Sequence, residues 1–231
     1  MFPLGGPAFS GTTLLALLLN QDHIVCLDEP DFHNPSQSHR GIPFLKSLFP
    51  DRDLPEAPQH PLSHREAFDF ISQCERLVPA EHLGMKTCDR VFISYSEIYG
   101  EHGCPVVAIF RDIRDALIRP LPEWVTEASL NRSYREVWSH RNQWDGWVRY
   151  EDLVTNPSAT IMKISTALRT PLQVRLNWQG EHVHFPMLKL DRHELLRSGT
   201  ISSQRLGIWR TSGRRFSDET IETARAMGYG E

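Results

Sequence analysis

A glycine-framed loop close to the N-terminus is the feature that most constrains the fold. Residues 5–13 read Gly-Gly-Pro-Ala-Phe-Ser-Gly-Thr-Thr and lead directly into the apolar run 14–19. From Gly6 onward the spacing matches the phosphate-loop pattern G-x-x-x-x-G-K-[ST], with Thr13 at the hydroxyl position and Thr12 in place of lysine. Such a loop directs backbone N–H groups and a helix dipole at an anion. The sequence therefore predicts a phosphate cradle that lacks its own cation.

The overall composition predicts one domain that spans residues 1–231. A chain of this length, 40% hydrophobic and 23% charged, is long enough for one continuous α/β core. Its net charge of −4 and pI near 6.3 argue against a nucleic-acid polymer as partner. One local exception is the basic arm 195–217, which has no acidic residue. Its arginines are Arg197, Arg205, Arg210, Arg214 and Arg215.

Cysteine usage and the first residues bear on the compartment. The four cysteines form no C-x-x-C pair and are too sparse for a disulfide scaffold, so we expect reduced thiols in a cytoplasmic protein. No basic segment precedes the run 14–19, which is shorter than the ~20 residues of a membrane span. We therefore expect neither a secretion signal nor a span. No metal is expected, because His182 and His184 have no third partner at a recognisable spacing.

Short aliphatic runs alternate with helical segments along the chain. Strands are predicted at 2–4, 24–27, 83–87, 106–110 and 147–150, the first of them very short for a central strand. Helices are predicted at 12–20, 63–77, 114–119, 130–144, 157–168, 188–197 and 217–226. This alternation predicts a three-layer, P-loop-like α/β fold with a central, mostly parallel sheet flanked by helices. Residues 30–62 contain seven prolines, which predicts a long loop with at most a short helix near 44–48.

Four segments, in this order, resemble the sulfotransferase family. The loop Ser10-Gly11-Thr12-Thr13 opens a helix, and 106–115 read V-V-A-I-F-R-D-I-R-D, similar to the family's strand followed by R-[ND]-P-R-D, with isoleucine in place of proline. Residues 147–153, W-V-R-Y-E-D-L, resemble the strand that ends in Y-E-D-L. Residues 202–210, S-S-Q-R-L-G-I-W-R, are similar to the late R-x-G-x-W-[KR] loop. The resemblance extends over nearly the whole chain.

The resemblance implies a donor, 3′-phosphoadenosine 5′-phosphosulfate (PAPS), and a product, 3′-phosphoadenosine 5′-phosphate (PAP). It places Arg111 on the donor's 3′-phosphate, and the basic arm 195–217 over the donor, with Trp209 able to stack on adenine. Arg119 stands where many members have a serine, and either binds the same phosphate or faces solvent. The predicted donor-binding residues are Gly6, Ser10, Gly11, Thr12, Thr13, Arg111, Arg119, Arg205, Gly207, Trp209 and Arg210. Arg114 and Asp115 are expected to pair with each other.

The loop departs from the family at Phe9, where members carry the lysine or arginine that stabilises the bridging oxygen as the sulfuryl group leaves. Electrostatic contributions of this type are often worth about 3 to 4 kcal/mol. Lys86 is the nearest candidate substitute. The predicted catalytic residues are accordingly Glu29, Lys86 and Ser10.

The general base also departs from the small-molecule members, whose histidine is replaced by Cys88. A buried thiol is a poor base at its ordinary pKa of about 8.5. Glu29 follows the second strand, where other members carry a catalytic glutamate, and Asp28 is the neighbour expected to raise its pKa. The alternative is that Asp28 or Glu29 only caps the loop.

The favoured function is therefore sulfuryl transfer from PAPS to a hydroxyl or amine of a small-molecule, glycan or peptide acceptor, with residues 30–62 as a lid over the acceptor site. One alternative is a sulfotransferase-like nucleotide-binding or scaffold protein with impaired catalysis. A P-loop kinase or NTPase is less favoured, because the loop lysine is absent. The sequence leaves the acceptor and the oligomeric state open.

Overall fold

A parallel sheet forms the centre of the molecule. In a computed structural model of the chain, β1 (Phe2–Gly6) lies between β3 (His82–Cys88) and β4 (Val107–Phe110). The outer strands are β2 (Ile24–Asp28), beside β3, and β5 (Gly146–Arg149), beside β4. Every one of these pairings is parallel. The structure describes residues 1–21, 23–30, 32, 41–174, 201, 203–204 and 206–230.

Helices cover both faces of this sheet. They are α1 (Thr12–Leu19), α2 (Gly41–Leu48), α3 (His64–Leu77), α4 (Asp89–Glu101), α5 (Ile113–Leu117), α6 (Glu127–Ser139), α7 (Tyr150–Thr155), α8 (Pro157–Leu168) and α9 (Asp218–Ala226). In β4, Val107 and Ile109 pack with α1 and α8, whereas Ala108 and Phe110 pack with α4, α5, α6 and α9. This alternation of buried side chains confirms the three-layer α/β fold, because a strand buried on both faces needs helices on both.

The best-predicted helices begin at side chains that cap them. Ser63 accepts a hydrogen bond from the Glu66 amide, and the Glu66 carboxylate accepts one from the Ser63 amide, a reciprocal capping box at the start of α3. Ser217 accepts from the Thr220 amide at the start of α9. Such caps can be identified in a sequence because both partners lie within three residues.

Several helical segments differ from the prediction. Helices α4 and α7 were not predicted at all, and the residues preceding them, Cys88 and Arg149, provide no side-chain cap. Helix α6 was predicted at 130–144 and spans Glu127–Ser139. Helix α2 begins at Gly41, three residues before the predicted 44–48. Pro43 lies in its first turn, where a backbone N–H would have no acceptor within the helix. Its Ile42 and Leu45 are buried, so residues 30–62 are not entirely a loop. The predicted helix 188–197 lies outside the described residues.

The Glu127 carboxylate joins the start of α6 to the start of α9. The Glu127 Oε1 atom accepts hydrogen bonds from the Ser217 amide at 3.0 Å and from the Thr220 hydroxyl at 2.7 Å. The other oxygen accepts from Arg214 at 3.2 Å. Burial opposes the charge of Glu127, but these hydrogen bonds outweigh it and lower its pKa to about 2.

The depressed pKa predicts how Glu127→Gln affects stability with pH. Because the folded-state pKa lies below the ordinary value of 4.5, the carboxylate stabilises the fold above that value and loses its contribution as pH falls towards about 2. We expect a loss of about 1 kcal/mol in unfolding free energy at neutral pH, reduced by solvent screening of this partly exposed group. Urea unfolding across pH 7 to about pH 2.5 should show the two proteins converging.

The matched control is Glu219→Gln, which removes an exposed ion pair with Arg135. Exposed pairs contribute little, so this variant should unfold like the wild type at every pH. A pH-independent difference between Glu127→Gln and the wild type would contradict the assignment.

Candidate active site

The carboxyl ends of the strands bring the predicted site residues to one edge of the sheet. The phosphate loop follows β1, Glu29 follows β2, Asp89 follows β3 and Arg111 follows β4. Parallel strands end at the same edge, which is where open α/β sheets bind ligands. Motifs that are far apart in the sequence therefore lie close together at this edge of the sheet.

The two glycines that frame the loop are required by close contacts. A Cβ on Gly6 would overlap the carbonyl oxygen of Ile109 in the neighbouring strand β4. Gly11 has a φ of +103°, which favours glycine, and a Cβ there would overlap the ring of Tyr150. The loop is therefore pressed against β4 on one side and Tyr150 on the other.

Ser10 provides the test of whether this loop fits a phosphate. Its hydroxyl is fully buried and has no hydrogen-bond partner among the residues the structure describes. Its amide donates to the Pro7 carbonyl at 3.2 Å, so the amides left for an anion are those of Gly11, Thr12 and Thr13, which have no helical acceptor. A phosphate oxygen would satisfy the Ser10 hydroxyl together with these amides. The phosphate loop therefore has the hydrogen-bond donors that a phosphate group needs.

Asp89 binds the backbone of the phosphate loop, a contact that was not predicted from the sequence. Its Oδ1 accepts a hydrogen bond from the Ala8 amide at 2.9 Å and another from the Ser133 hydroxyl. The residue begins α4 with a φ of +55°, and burial raises its pKa above the ordinary value. Asp89 and Ala8 lie 81 residues apart in the chain, so no local pattern pointed to their contact.

Lys86 lies between the two carboxylates that follow β2. Pairing of β2 with β3 places Asp28 opposite Lys86, whose Nζ is 2.9 Å from Asp28 Oδ1 and 2.6 Å from Glu29 Oε1. Burial opposes the charge on Lys86, but the Asp28 and Glu29 carboxylates outweigh it and raise its pKa. The Glu29 side chain is 49% exposed, against 7% for Asp28, so of the two it is the one open to an acceptor.

Cys88 connects this ion cluster to the phosphate loop. Its Sγ lies 3.6 Å from Glu29 Oε1, to which it donates, and 3.6 Å from the Thr12 hydroxyl. Burial is the main cause that raises the pKa of the thiol to about 12. The group is therefore a neutral thiol at physiological pH, and it positions Glu29 rather than competing with it for a proton.

Arg111 is buried at the end of β4. Its guanidinium lies 4.5 Å from the centre of the Tyr150 ring, the same ring that contacts Gly11. One guanidinium nitrogen is 3.9 Å from Asp115 Oδ2. Tyr150 thus connects the loop with the arginine, a contact that the sequence analysis did not identify.

The basic arm is attached to α5 through Asp115. Its two oxygens accept hydrogen bonds from the Gly207 amide at 2.7 Å and the Trp209 amide at 3.1 Å. The expectation that Asp115 pairs with Arg114 is wrong, because Arg114 binds Asp112 at 2.8 Å instead. Adjacent helical residues point in different directions, which leaves Asp115 to the arm.

Trp209 has guanidinium groups against its indole ring. The Arg114 guanidinium lies 3.7 Å from the ring centre and that of Arg210, an exposed residue, lies 4.8 Å from it. Arg205, predicted to act with them, lies outside the described residues. Arg119 is half-buried, and its guanidinium is 5.6 Å from the centre of the Phe9 ring.

Within the described part of the chain, no three His, Cys, Asp or Glu side chains form a group that could hold a metal ion. In that same part, no helix has the length and apolar character needed to cross a membrane.

Solved structures with the same architecture identify the fold. A sulfotransferase domain from the curacin biosynthetic pathway matches with a TM-score of 0.66 at 16% identity, over 100% of this chain and 98% of that one. A sulfotransferase domain from the Synechococcus PCC 7002 olefin synthase matches with a TM-score of 0.67 at 19% identity, over 100% and 94%. The chain has a sulfotransferase fold. Comparison with protein-family models gave no match, and neither did comparison with curated protein sequences.

The close contact at Gly6 generates a prediction for the sulfotransferase fold. The variant Gly6→Ala should push the loop away from β4 and lower the free energy of unfolding by roughly 1 to 3 kcal/mol, as overpacking against rigid backbone does. The control is Gly100→Ala in α4, where an added Cβ meets nothing within 4 Å. Chemical denaturation should show a loss for the first variant and none for the second. Equal stability of Gly6→Ala and wild type would contradict the observed packing.

Proposed function

We propose that this protein is a PAPS-dependent sulfotransferase that transfers a sulfuryl group to a hydroxyl or amine of an acceptor. One observation carries the proposal: the buried Ser10 hydroxyl, without a partner in the described residues, lies at the start of α1. Arg111, at the end of a strand adjacent to β1, provides a second anion-binding group at the same edge of the sheet. The sulfotransferase fold supports the donor as the ligand for both groups.

The donor would be held at two places. The Ser10 and Thr12 hydroxyls and the amides at the start of α1 take the 5′-phosphate, and Arg111 takes the 3′-phosphate. The remaining contacts come from the arm attached to Asp115. They are assigned to Arg205, Gly207, Trp209 and Arg210.

Glu29 is the proposed general base, and the bound donor supplies an activated sulfuryl group. Glu29 takes the proton of the acceptor hydroxyl, and the acceptor oxygen forms a bond to sulfur. The bond between sulfur and the 5′-phosphate oxygen breaks, and its electron pair stays on the phosphate. Lys86 holds the Glu29 carboxylate at 2.6 Å, and Ser10 donates to the phosphate that gains charge.

The proposal also includes an acceptor class and a compartment. The two structural neighbours come from a biosynthetic pathway and an olefin synthase, which favours a small molecule over a glycan or a peptide. The four cysteines are free thiols, as expected for a cytoplasmic protein. We therefore place the reaction in the cytoplasm.

A second candidate function is nucleotide binding without catalysis. The observation that favours it is Phe9, an uncharged side chain in the loop that would hold the leaving phosphate. The two functions share donor binding and differ only in turnover. Binding and turnover must therefore be measured separately.

Ligand titration with thermal unfolding tests the donor site. PAP should stabilise the protein more than ATP with magnesium does, because only PAP carries a 3′-phosphate for Arg111. The variant Arg111→Ala should weaken the binding of PAP by about 10-fold to 100-fold, because a charge-assisted pair is lost. The binding of the 3′-dephosphorylated analogue should change much less.

The matched control is Arg90→Ala, an exposed arginine on α4 that pairs with Glu136. It should bind PAP as the wild type does. Preference of the wild type for ATP would contradict the donor assignment, and equal losses for both nucleotides in Arg111→Ala would contradict the 3′-phosphate assignment.

Turnover tests the base. The variant Glu29→Gln should lose about 10²-fold to 10⁴-fold in the rate of PAPS-dependent sulfation over an acceptor panel, the usual contribution of a general base. Its PAP affinity should stay near that of the wild type. Unchanged turnover in Glu29→Gln would exclude this base. Tight PAP binding by a wild type that sulfates neither an acceptor nor water would favour the non-catalytic function.

A further inference from the structure

The phosphate loop has no cation of its own, yet a guanidinium lies against one of its side chains. Residues 5–13 contain neither lysine nor arginine. The Arg119 guanidinium lies 5.6 Å from the centre of the Phe9 ring, inside the range of a cation–π contact. We propose that Arg119, held on Phe9, is the cation that binds the 5′-phosphate end of the donor and stabilises the charge left there. This inference rests on the proposed function.

The sheet brings Arg119 to the loop. Strand β4 pairs with β1, placing Gly5 opposite Ala108, so whatever follows β4 begins beside whatever follows β1. Helix α5 starts three residues after Phe110, and Arg119 lies two residues beyond the end of that helix. The contact with Phe9 therefore follows from strand pairing and the short length of α5.

Phe9 is fixed as a platform for the guanidinium. Its φ of +65° is uncommon for a residue with a bulky side chain, so the surrounding structure must hold it there. The ring is partly buried and packs against the hydrophobic cluster that α4, α5, α6 and α9 form with β4. A ring held in this way presents one face to the guanidinium and restricts where that charge can lie.

Two further cations near the loop are paired with carboxylates. Lys86 has Asp28 and Glu29 within 3 Å, and Arg114 is paired with Asp112. Lys86, the substitute expected from the sequence, therefore has two carboxylate partners, one of which is the proposed base Glu29. Arg119 approaches the loop at Phe9, one residue before Ser10.

The charge matters most when the sulfuryl group leaves. Breaking the bond between sulfur and the 5′-phosphate oxygen leaves an electron pair on that oxygen, and a nearby guanidinium stabilises the added negative charge. Removing one such stabilising group typically lowers kcat by about 10²-fold to 10³-fold. Part of the same attraction acts on bound PAP, so the product affinity should fall as well.

The test moves the charge instead of only removing it. We expect Arg119→Gln to lose about 10-fold in PAP affinity and about 10²-fold in PAPS turnover. In the double variant Phe9→Lys with Arg119→Gln, the cation sits in the loop itself, and both properties should recover most of the loss. Thermal unfolding without ligand should be similar for all three proteins.

The matched control is Arg141→Gln, which removes a guanidinium lying 4.5 Å from the Trp138 ring. It should leave PAP affinity and turnover unchanged. Absence of PAP binding by the wild type would overturn the donor assignment and this inference together. Wild-type PAP affinity in Arg119→Gln, or a failure of the double variant to recover it, would overturn the role of Arg119 alone.

Discussion

The pairing of β1 with both β3 and β4 is the constraint on which the site depends. Gly6, the last residue of β1, pairs with Cys88, the last residue of β3, and Gly5 pairs with Ala108 of β4. The loop that follows β1 therefore begins at the end of β3 and beside the end of β4. Gly5 and Gly6 make this possible, because a Cβ on Gly5 would overlap the Phe92 ring and the Thr87 carbonyl, and one on Gly6 would overlap Ile109. The loop, the ion cluster and Arg111 are consequences of that close packing.

The carboxylates at this edge position other groups. Asp89 holds the loop amide of Ala8, Asp115 holds the arm amides, and Asp28 shares Lys86 with Glu29. Each of these carboxylates therefore accepts a hydrogen bond or an ion pair from the chain itself, which limits its repulsion of a ligand with two phosphate groups. In this way a chain with a net charge of −4 could bind the phosphorylated nucleotide that we propose as its ligand.

The fold and the loop could be predicted from the sequence because their signals are local. Strand runs, Ser63 and Ser217 as caps, and the glycine spacing all lie within a few residues of what they specify. Helix α4 was missed because it is rich in aromatic and β-branched residues, as strands are, and has no capping side chain. Contacts such as Asp115 with Gly207, 92 residues apart, arise from packing and leave no local pattern.

The attachment of the arm bears on how a donor would bind. Residues 207–210 are held by hydrogen bonds to Asp115, and Arg214 donates to the Leu117 carbonyl and to Glu127. The chain makes all of these contacts with its own residues, so this part of the arm does not need a donor in order to be positioned. A binding surface that is already ordered loses less conformational entropy on association. The indole of Trp209, with Arg114 and Arg210 against it, would therefore offer the proposed donor a preformed cationic and aromatic surface.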